Sequence, residues 1–146
     1  MWRILGTIYY NDKTHFVDDT GRAFDKEKIV DFLNEVGIAM FDTAIQVRRK
    51  TGTASDADLE IIKPTDIAGL LKQIPRCKTI ITTGGKATEE CAAQMHCKIP
   101  AVGSFEIGQL NGKDVKLYRL PSSSRAYPLK LEKKVEAYRS VLNQYM

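Results

Sequence analysis

A hairpin signal in the last third of the chain constrains the fold more than any other feature. Asn111-Gly112 separates two extended runs, Phe105–Leu110 and Lys113–Leu120, and Asn-Gly is a dipeptide that two-residue hairpin turns strongly favour. Pro121 must end the second run, because proline has a fixed φ and no N–H for the strand ladder. The second strand of the hairpin therefore leads directly into the loop that follows.

The loop after Pro121 is rich in groups that can bind anions. Ser122, Ser123 and Ser124 offer three hydroxyls together with backbone N–H groups, and Arg125 adds a guanidinium. Consecutive serines ahead of a helix can bind phosphate, and they can equally serve to cap that helix. The sequence leaves both interpretations open.

Helices and strands alternate before this hairpin. Helical spacing or turn signals predict a helix or a helical turn over residues 1–10, 25–37, 55–60, 64–75, 86–95 and from 129 onward. Continuous apolar or β-branched runs predict buried strands at residues 38–41 and 78–83. The pattern predicts an α/β fold, and we expect one domain over residues 1–146. We expect the strands near residues 38–41, 80–83 and 115–120 to share one sheet, with their ends at Asp42, Gly84 and Pro121 on a common edge.

The string Thr82-Thr83-Gly84-Gly85-Lys86-Ala87 looks like a phosphate loop at first sight. A true phosphate loop reads GxxxxGK[ST], so it needs an earlier glycine and a hydroxyl after the lysine. Here no glycine precedes Lys86 at the required distance, and Ala87 stands in place of the hydroxyl residue. The glycines are better explained by a tight turn from strand to helix.

Composition narrows the function classes. The net charge of +4 permits a polyanionic partner without requiring one. No apolar run approaches the roughly 20 residues of a membrane span and no signal-peptide pattern is seen, so we expect a cytoplasmic protein with no membrane partner. The three cysteines suit neither a disulfide framework nor a zinc site, since no CxxC pair is present. We expect no metal and no cofactor.

Three stretches of the chain carry a resemblance to a known family. They are Gly37-Ile38-Ala39-Met40-Phe41-Asp42-Thr43 through Arg48, Thr82-Thr83-Gly84-Gly85-Lys86-Ala87, and Leu120-Pro121-Ser122-Ser123-Ser124-Arg125-Ala126. In this order and spacing they resemble motifs of the uracil-DNA glycosylase superfamily, most closely its mismatch-type and deoxyinosine glycosylase-like branch. The resemblance implies a three-layer α/β/α sandwich around a short, largely parallel sheet. It also implies hydrolysis of the N-glycosidic bond of a deaminated base, uracil or hypoxanthine, in DNA repair.

The resemblance assigns roles to particular residues. Asp42 would take the base-recognition position, where a carboxylate accepts a hydrogen bond from a ring N–H or an exocyclic amine. The residues expected to contact the DNA backbone are Ser122, Ser123, Ser124, Arg125, Arg48 and Arg49. The implied partner is DNA, either single-stranded or a mismatched or damaged duplex.

The chain departs from the family pattern in two places. The family's water-positioning motif lies on a central strand upstream of a helix that resembles residues 1–6, so that strand is expected to be missing and the catalytic residue is unknown. Two explanations stay open: the natural start lies upstream of Met1, or the natural protein lacks the motif. Leu120 stands where the best-known members have a histidine, although the deoxyinosine-type branch also has leucine there. We therefore expect residues 1–146 alone to be inactive.

The missing strand would leave a gap in the sheet. Three ways of closing it are open: the first ten residues, a second chain in a homodimer, or collapse of the flanking strands onto each other. A second interpretation of the whole sequence also stands beside the glycosylase. It is a non-catalytic α/β module that binds DNA or a small nucleobase-like ligand.

Overall fold

The structure is a computed structural model, and it describes residues 1–52 and 59–146. The described part is α/β. Its elements are α1 Trp2–Tyr10, α2 Lys26–Val36, β1 Ala44–Arg49, β2 Leu59–Pro64, α3 Ile67–Gln73, β3 Thr79–Thr83, α4 Gly85–Gln94, β4 Phe105–Leu110, β5 Lys113–Leu120 and α5 Leu131–Leu142. No described helix has the length and apolar character needed to cross a membrane. The helix or turn predicted at residues 55–60 lies mostly outside the described residues, and residues 59 and 60 begin β2.

The chain divides into two compact units. The first unit comprises Met1–Phe41 and Pro128–Met146, and the second comprises Asp42–Tyr127. That residues 1–146 form one domain remains a prediction.

The first unit is helical, and its helices begin and end where the sequence predicts. Asp25 caps α2 by accepting a hydrogen bond from the Lys28 N–H, and Gly37 ends it in the left-handed conformation with φ of 71°. In this unit α1 packs against α5. An aromatic cluster fills the space beside α1, with Phe16 and Phe32 buried and their ring centroids 5.0 Å apart.

The second unit contains a mixed three-stranded sheet in the order β3-β5-β4. β4 and β5 form the predicted antiparallel hairpin, in which Phe105 pairs with Tyr118. β3 runs parallel to β5 on the other side, so that Thr79 pairs with Lys116 and Thr83 with Leu120. The strands predicted at residues 78–83, 105–110 and 113–120 are confirmed.

One face of this sheet is covered by α4. The residues of the resulting core are Ile67, Cys91, Ala92, Met95, Leu110, Val115 and Leu117. Met95 and Leu117 are fully buried. Leucine and methionine side chains buried to this extent each stabilise a fold by about 1.5–3 kcal/mol, so the contact between α4 and β5 is the centre of the unit.

The strand predicted at residues 38–41 is wrong. These residues are irregular, and Phe41 is 67% exposed. A short apolar run indicates burial but does not identify a neighbouring strand, and here the strand begins later, at Ala44. β1 pairs with β2 in a separate two-stranded antiparallel sheet, which we call the ribbon.

Gly108 on β4 provides a test of how tightly α4 packs on the sheet. A Cβ at this position would lie 2.6 Å from the Met95 Cβ and 2.8 Å from the Met95 carbonyl oxygen. Because backbone cannot move aside cheaply, we expect Gly108→Ala to lower the free energy of unfolding by about 1–3 kcal/mol. Urea denaturation measures the change. Gln109→Ala, at the exposed neighbouring position, is the control, and equal stability of the two variants would contradict the packing described.

Candidate functional site

The candidate site lies at the edge of the sheet where β3 and β5 end. Parallel strands finish at the same edge, and the Gly84 N–H donates a hydrogen bond to the Leu120 carbonyl oxygen at 3.1 Å. The turn into α4 and the loop after Pro121 are therefore adjacent, as the sequence predicts for these two positions. Gly84 has φ of 103° and ψ of 167°, a conformation that is essentially restricted to glycine. We call the end of the sheet formed by the turn at Gly84 and the loop after Pro121 the carboxyl edge.

Two buried threonines fix the start of α4 to the ends of the strands. The hydroxyl oxygens of Thr82 and Thr88 lie 2.9 Å apart. Thr82 Oγ1 is also 3.0 Å from the Tyr118 carbonyl oxygen, and Thr88 Oγ1 is 2.7 Å from that of Gly84. Buried hydroxyls that donate to backbone carbonyl oxygens hold the turn rigidly, so the amino end of α4 has a defined place at the carboxyl edge.

Among residues 1–52 and 59–146, no side chain caps the amino end of α4. The first N–H groups of any helix lack an intrahelical acceptor, and together with the aligned peptide dipoles they give this end a partial positive charge. In α4 these groups belong to Gly85, Lys86 and Ala87. The absence of a capping oxygen leaves the backbone donors available to an external anion.

The side chain of Arg119 reaches the same place from β5. Its Nη2 lies 3.6 Å from the position that a Cβ on Gly85 would occupy, and its Nη1 donates to the Pro100 carbonyl oxygen at 3.3 Å. Within residues 1–52 and 59–146, no carboxylate forms an ion pair with Arg119. A partly buried guanidinium therefore stands beside the positive end of a helix without a neutralising acid.

The sequence analysis did not identify Arg119, because its candidate residues came from the loop after β5 and Arg119 lies within the strand. The alternation of β5 contains the signal that could have found it. Val115, Leu117 and Arg119 are two residues apart, so they lie on one face of the strand, and the first two of them are buried. An arginine that continues a buried face at the end of a strand is a candidate ligand-binding group.

The serine loop has a defined conformation at this edge. Ser122 is only 8% exposed, and its hydroxyl oxygen accepts a hydrogen bond from the Ser124 N–H at 3.2 Å. The Ser124 hydroxyl oxygen accepts in turn from the Ala126 N–H. The structure brings Ser122 to the carboxyl edge next to Leu120, while Ser123 is half-buried and Arg125 is exposed.

The helix-capping interpretation of the serines is not supported. α5 begins at Leu131 with Lys130 as its N-cap residue, and no side chain caps it. The serine hydroxyls that accept hydrogen bonds do so from the loop itself. The serines therefore stabilise the loop itself, and their binding of phosphate stays a prediction.

Asp42 does not follow a strand of the sheet, so the prediction that such a strand carries it to the carboxyl edge is wrong. Its carbonyl oxygen accepts from the Thr65 hydroxyl at 2.6 Å, and the Thr65 carbonyl accepts from the Gln94 side-chain amide at 2.8 Å. Gln94 is the last residue of α4, roughly 13 Å along the helix axis from the first. Asp42 is thus anchored near the far end of α4 from Gly84. Its role in base recognition stays a prediction.

Arg48 and Arg49 lie within β1, on the ribbon. The Arg48 guanidinium forms an ion pair with Glu60 on β2, and this hydrogen bond and charge hold the pKa of the Glu60 carboxyl below its usual value. Arg49 and Lys50 are exposed. Arg48 and Arg49 are neighbours on one strand, so their side chains point to opposite faces of the ribbon, and Arg48 already has an acidic partner. Their contact with DNA stays a prediction.

The cysteines do not form a metal site in the described residues. No group of three His, Cys, Asp or Glu side chains there could hold an ion. Burial raises the pKa of the Cys91 thiol to about 12, whereas metal ligation needs the thiolate. Burial also raises the pKa of Cys97. Cys91 therefore behaves as an apolar core residue.

Comparison of the chain with models of protein families, with curated proteins and with solved structures gave no match. The resemblance drawn from the three sequence motifs has no support from these comparisons and no contradiction from them. The assignment of a function therefore depends on the carboxyl edge itself.

The raised pKa of Cys91 makes stability depend on pH in a predictable direction. Above its ordinary pKa of about 9, the thiol ionises in the unfolded chain but stays protonated in the folded one up to about pH 12. The unfolded state then binds fewer protons, so the stability that Cys91 contributes falls as pH rises through this window.

The comparison of wild type with Cys91→Ala isolates this effect from other titrating groups. We expect the difference in free energy of unfolding between the two proteins to be constant near neutral pH. It should shrink as pH rises above 9. Denaturant unfolding over that range measures it, and a difference that stays constant would mean that the thiol is not buried.

Proposed function

We propose that this chain is a DNA-binding domain of the uracil-DNA glycosylase type that binds the phosphodiester backbone at its carboxyl edge. The observation that supports this most directly is the Arg119 guanidinium beside the uncapped amino end of α4. A guanidinium and a row of helix N–H groups are both donors suited to phosphate oxygens. In the described part of the chain, no capping side chain competes for that place.

The shape of the edge supports the same ligand. Gly84 and Gly85 have no side chains, so an external group can approach the backbone closely at the turn. Ser122 and Ser123 follow on the neighbouring strand end and supply hydroxyls and N–H groups at the same edge. Arg125, which is exposed, adds charge at the rim.

Positive charge outside the carboxyl edge favours a polyanion as the ligand over a small phosphate compound. The protein carries +4 overall, and the ribbon adds the exposed side chains of Arg49 and Lys50. Charges spread over a surface attract a polyanion more than a single phosphate group. We infer contact with successive phosphates of DNA, single-stranded or mismatched.

We extend the proposal to a three-layer α/β/α architecture and, for the reaction, to the hydrolytic removal of a deaminated base from DNA. The parallel pairing of β3 with β5 and the helix α4 on one face are the features that favour the three-layer sandwich of the superfamily. Removal of a base also needs a group that orients water and a group that stabilises the charge on the departing base. Asp42, the one candidate for reading the base, is anchored near the far end of α4.

Binding to DNA should be weak and sensitive to salt. We expect affinity for a labelled single-stranded or mismatched oligonucleotide to fall steeply between low and physiological salt, because phosphate contacts release counterions. Arg119→Gln and Arg125→Gln should each weaken binding and reduce the magnitude of the salt slope by about one. Fluorescence anisotropy at several salt concentrations measures both quantities.

Arg76→Gln is the matched control for these variants. It removes the same charge from an exposed arginine that precedes β3, at the opposite end of that strand, and it should leave the salt slope close to that of the wild type. Circular dichroism establishes that each variant is folded. Absence of binding at the lowest salt would refute the proposal and favour a small nucleobase-like ligand.

Residues 1–146 alone should release no base from DNA that contains uracil or hypoxanthine. No residue of the chain is assigned to orient water, and the predicted base-reading carboxylate is not on a strand of the sheet. Alkaline cleavage of a labelled oligonucleotide with one damaged base is the assay. Turnover by this chain would show that Asp42 or the three serines do more than bind.

A further inference from the structure

The outer edge of β3 presents the backbone groups of Ile81 and Thr83, which have no hydrogen-bond partner among residues 1–52 and 59–146. β3 is the last strand on its side of the sheet. The Lys116 N–H donates to the Lys78 carbonyl and the Gly84 N–H to the Leu120 carbonyl, which fixes the alternation of the ladder, so that Ile81 and Thr83 face away from β5. In the described part of the chain, no residue hydrogen-bonds to the backbone of these two.

Within the described residues, this edge has none of the usual protections against pairing with another chain. Natural proteins guard edge strands with charges, prolines, bulges or a covering segment. β3 reads Thr-Ile-Ile-Thr-Thr, so it is uncharged, β-branched throughout and of a composition typical of a strand with neighbours on both sides. β4, at the opposite side of the sheet, carries Glu106 and Gly108, and its Gln109 N–H donates to the Met95 carbonyl.

The strand is also complementary to itself. Antiparallel pairing about a two-fold axis at Ile81 places Ile81 opposite its counterpart and Thr79 opposite Thr83, so each cross-strand pair is β-branched and none is charged. β4 is less suited to such pairing, because Gly108 interrupts its side-chain surface and its outward Gln109 N–H already donates to the Met95 carbonyl. Self-pairing is therefore more compatible with β3 than with β4.

We propose that two copies of this chain associate through β3, with the strands antiparallel and Ile81 on the two-fold axis. The two three-stranded sheets then join into one continuous sheet in the order β4-β5-β3-β3-β5-β4. The backbone groups of Ile81 and Thr83 gain partners in this arrangement. The inference does not depend on DNA binding, and it is tested in the absence of nucleic acid.

The first test measures mass in solution against protein concentration. Sedimentation velocity of the full chain should show a monomer and a dimer in exchange, with the dimer predominant at high concentration. Thr83→Pro removes an N–H that faces away from β5 and should shift the protein to monomer at every concentration. Thr83→Val keeps this N–H and the β-branched shape, so it should dimerise as the wild type does.

A crosslink provides a second readout that does not depend on the proline variant. In a Cys77→Ser, Cys97→Ser background, oxidation of Ile81→Cys should give a covalent dimer, because residues facing each other across a two-fold lie close enough for a disulfide. Ile107→Cys, at an exposed position on β4, should give none.

Either of two results would overturn the proposal. One is a monomer at all concentrations for the wild type. The other is a dimer that survives Thr83→Pro in a folded protein and crosslinks through Ile107→Cys but not through Ile81→Cys.

Discussion

The parallel pairing of β3 with β5 is the interaction on which the second unit depends. Its register aligns Thr83 with Leu120, and this alignment brings the glycine turn and the serine loop to one edge. The same pairing places Leu117, which is fully buried, under α4. Because the core packs only when the strands are in register, the position of the candidate site and the stability of the unit have one cause.

Several features of the carboxyl edge oppose local stability. Gly84 is held in a conformation that other residues avoid, and no side chain of the described residues caps α4. Arg119 adds positive charge to a helix end that is already positive. Each of these is unfavourable in the isolated domain. They make physical sense together if an anion occupies the edge, since one negative group would satisfy the N–H donors and neutralise the guanidinium. The buried threonine pair, Thr82 and Thr88, maintains the conformation of the Gly84 turn when no anion is bound.

The parts of the fold that the sequence predicts well are those with local signals. Asn111 and Gly112 both have positive φ, as the predicted hairpin turn requires, and Asp25 caps α2 as its position indicates. The conformation of residues 38–41 could not be predicted in this way, because an apolar run shows a preference for burial and says nothing about which strand would pair with it. β1 could not be predicted either, because it lacks an apolar run. Its basic residues suggest a solvated surface, and the Arg48–Glu60 pair that joins it to β2 is a contact between distant positions.

The central claim is that the carboxyl edge binds the DNA backbone, and amide chemical shifts test it residue by residue. In a titration of the ¹⁵N-labelled chain with a short single-stranded oligonucleotide, we expect the largest shifts at residues 84–87 and 122–125. The Arg119 side chain should shift with them. Residues 108–112, at the other end of β5, should remain unchanged. Shifts confined to the ribbon, or absent from residues 84–87, would contradict the account.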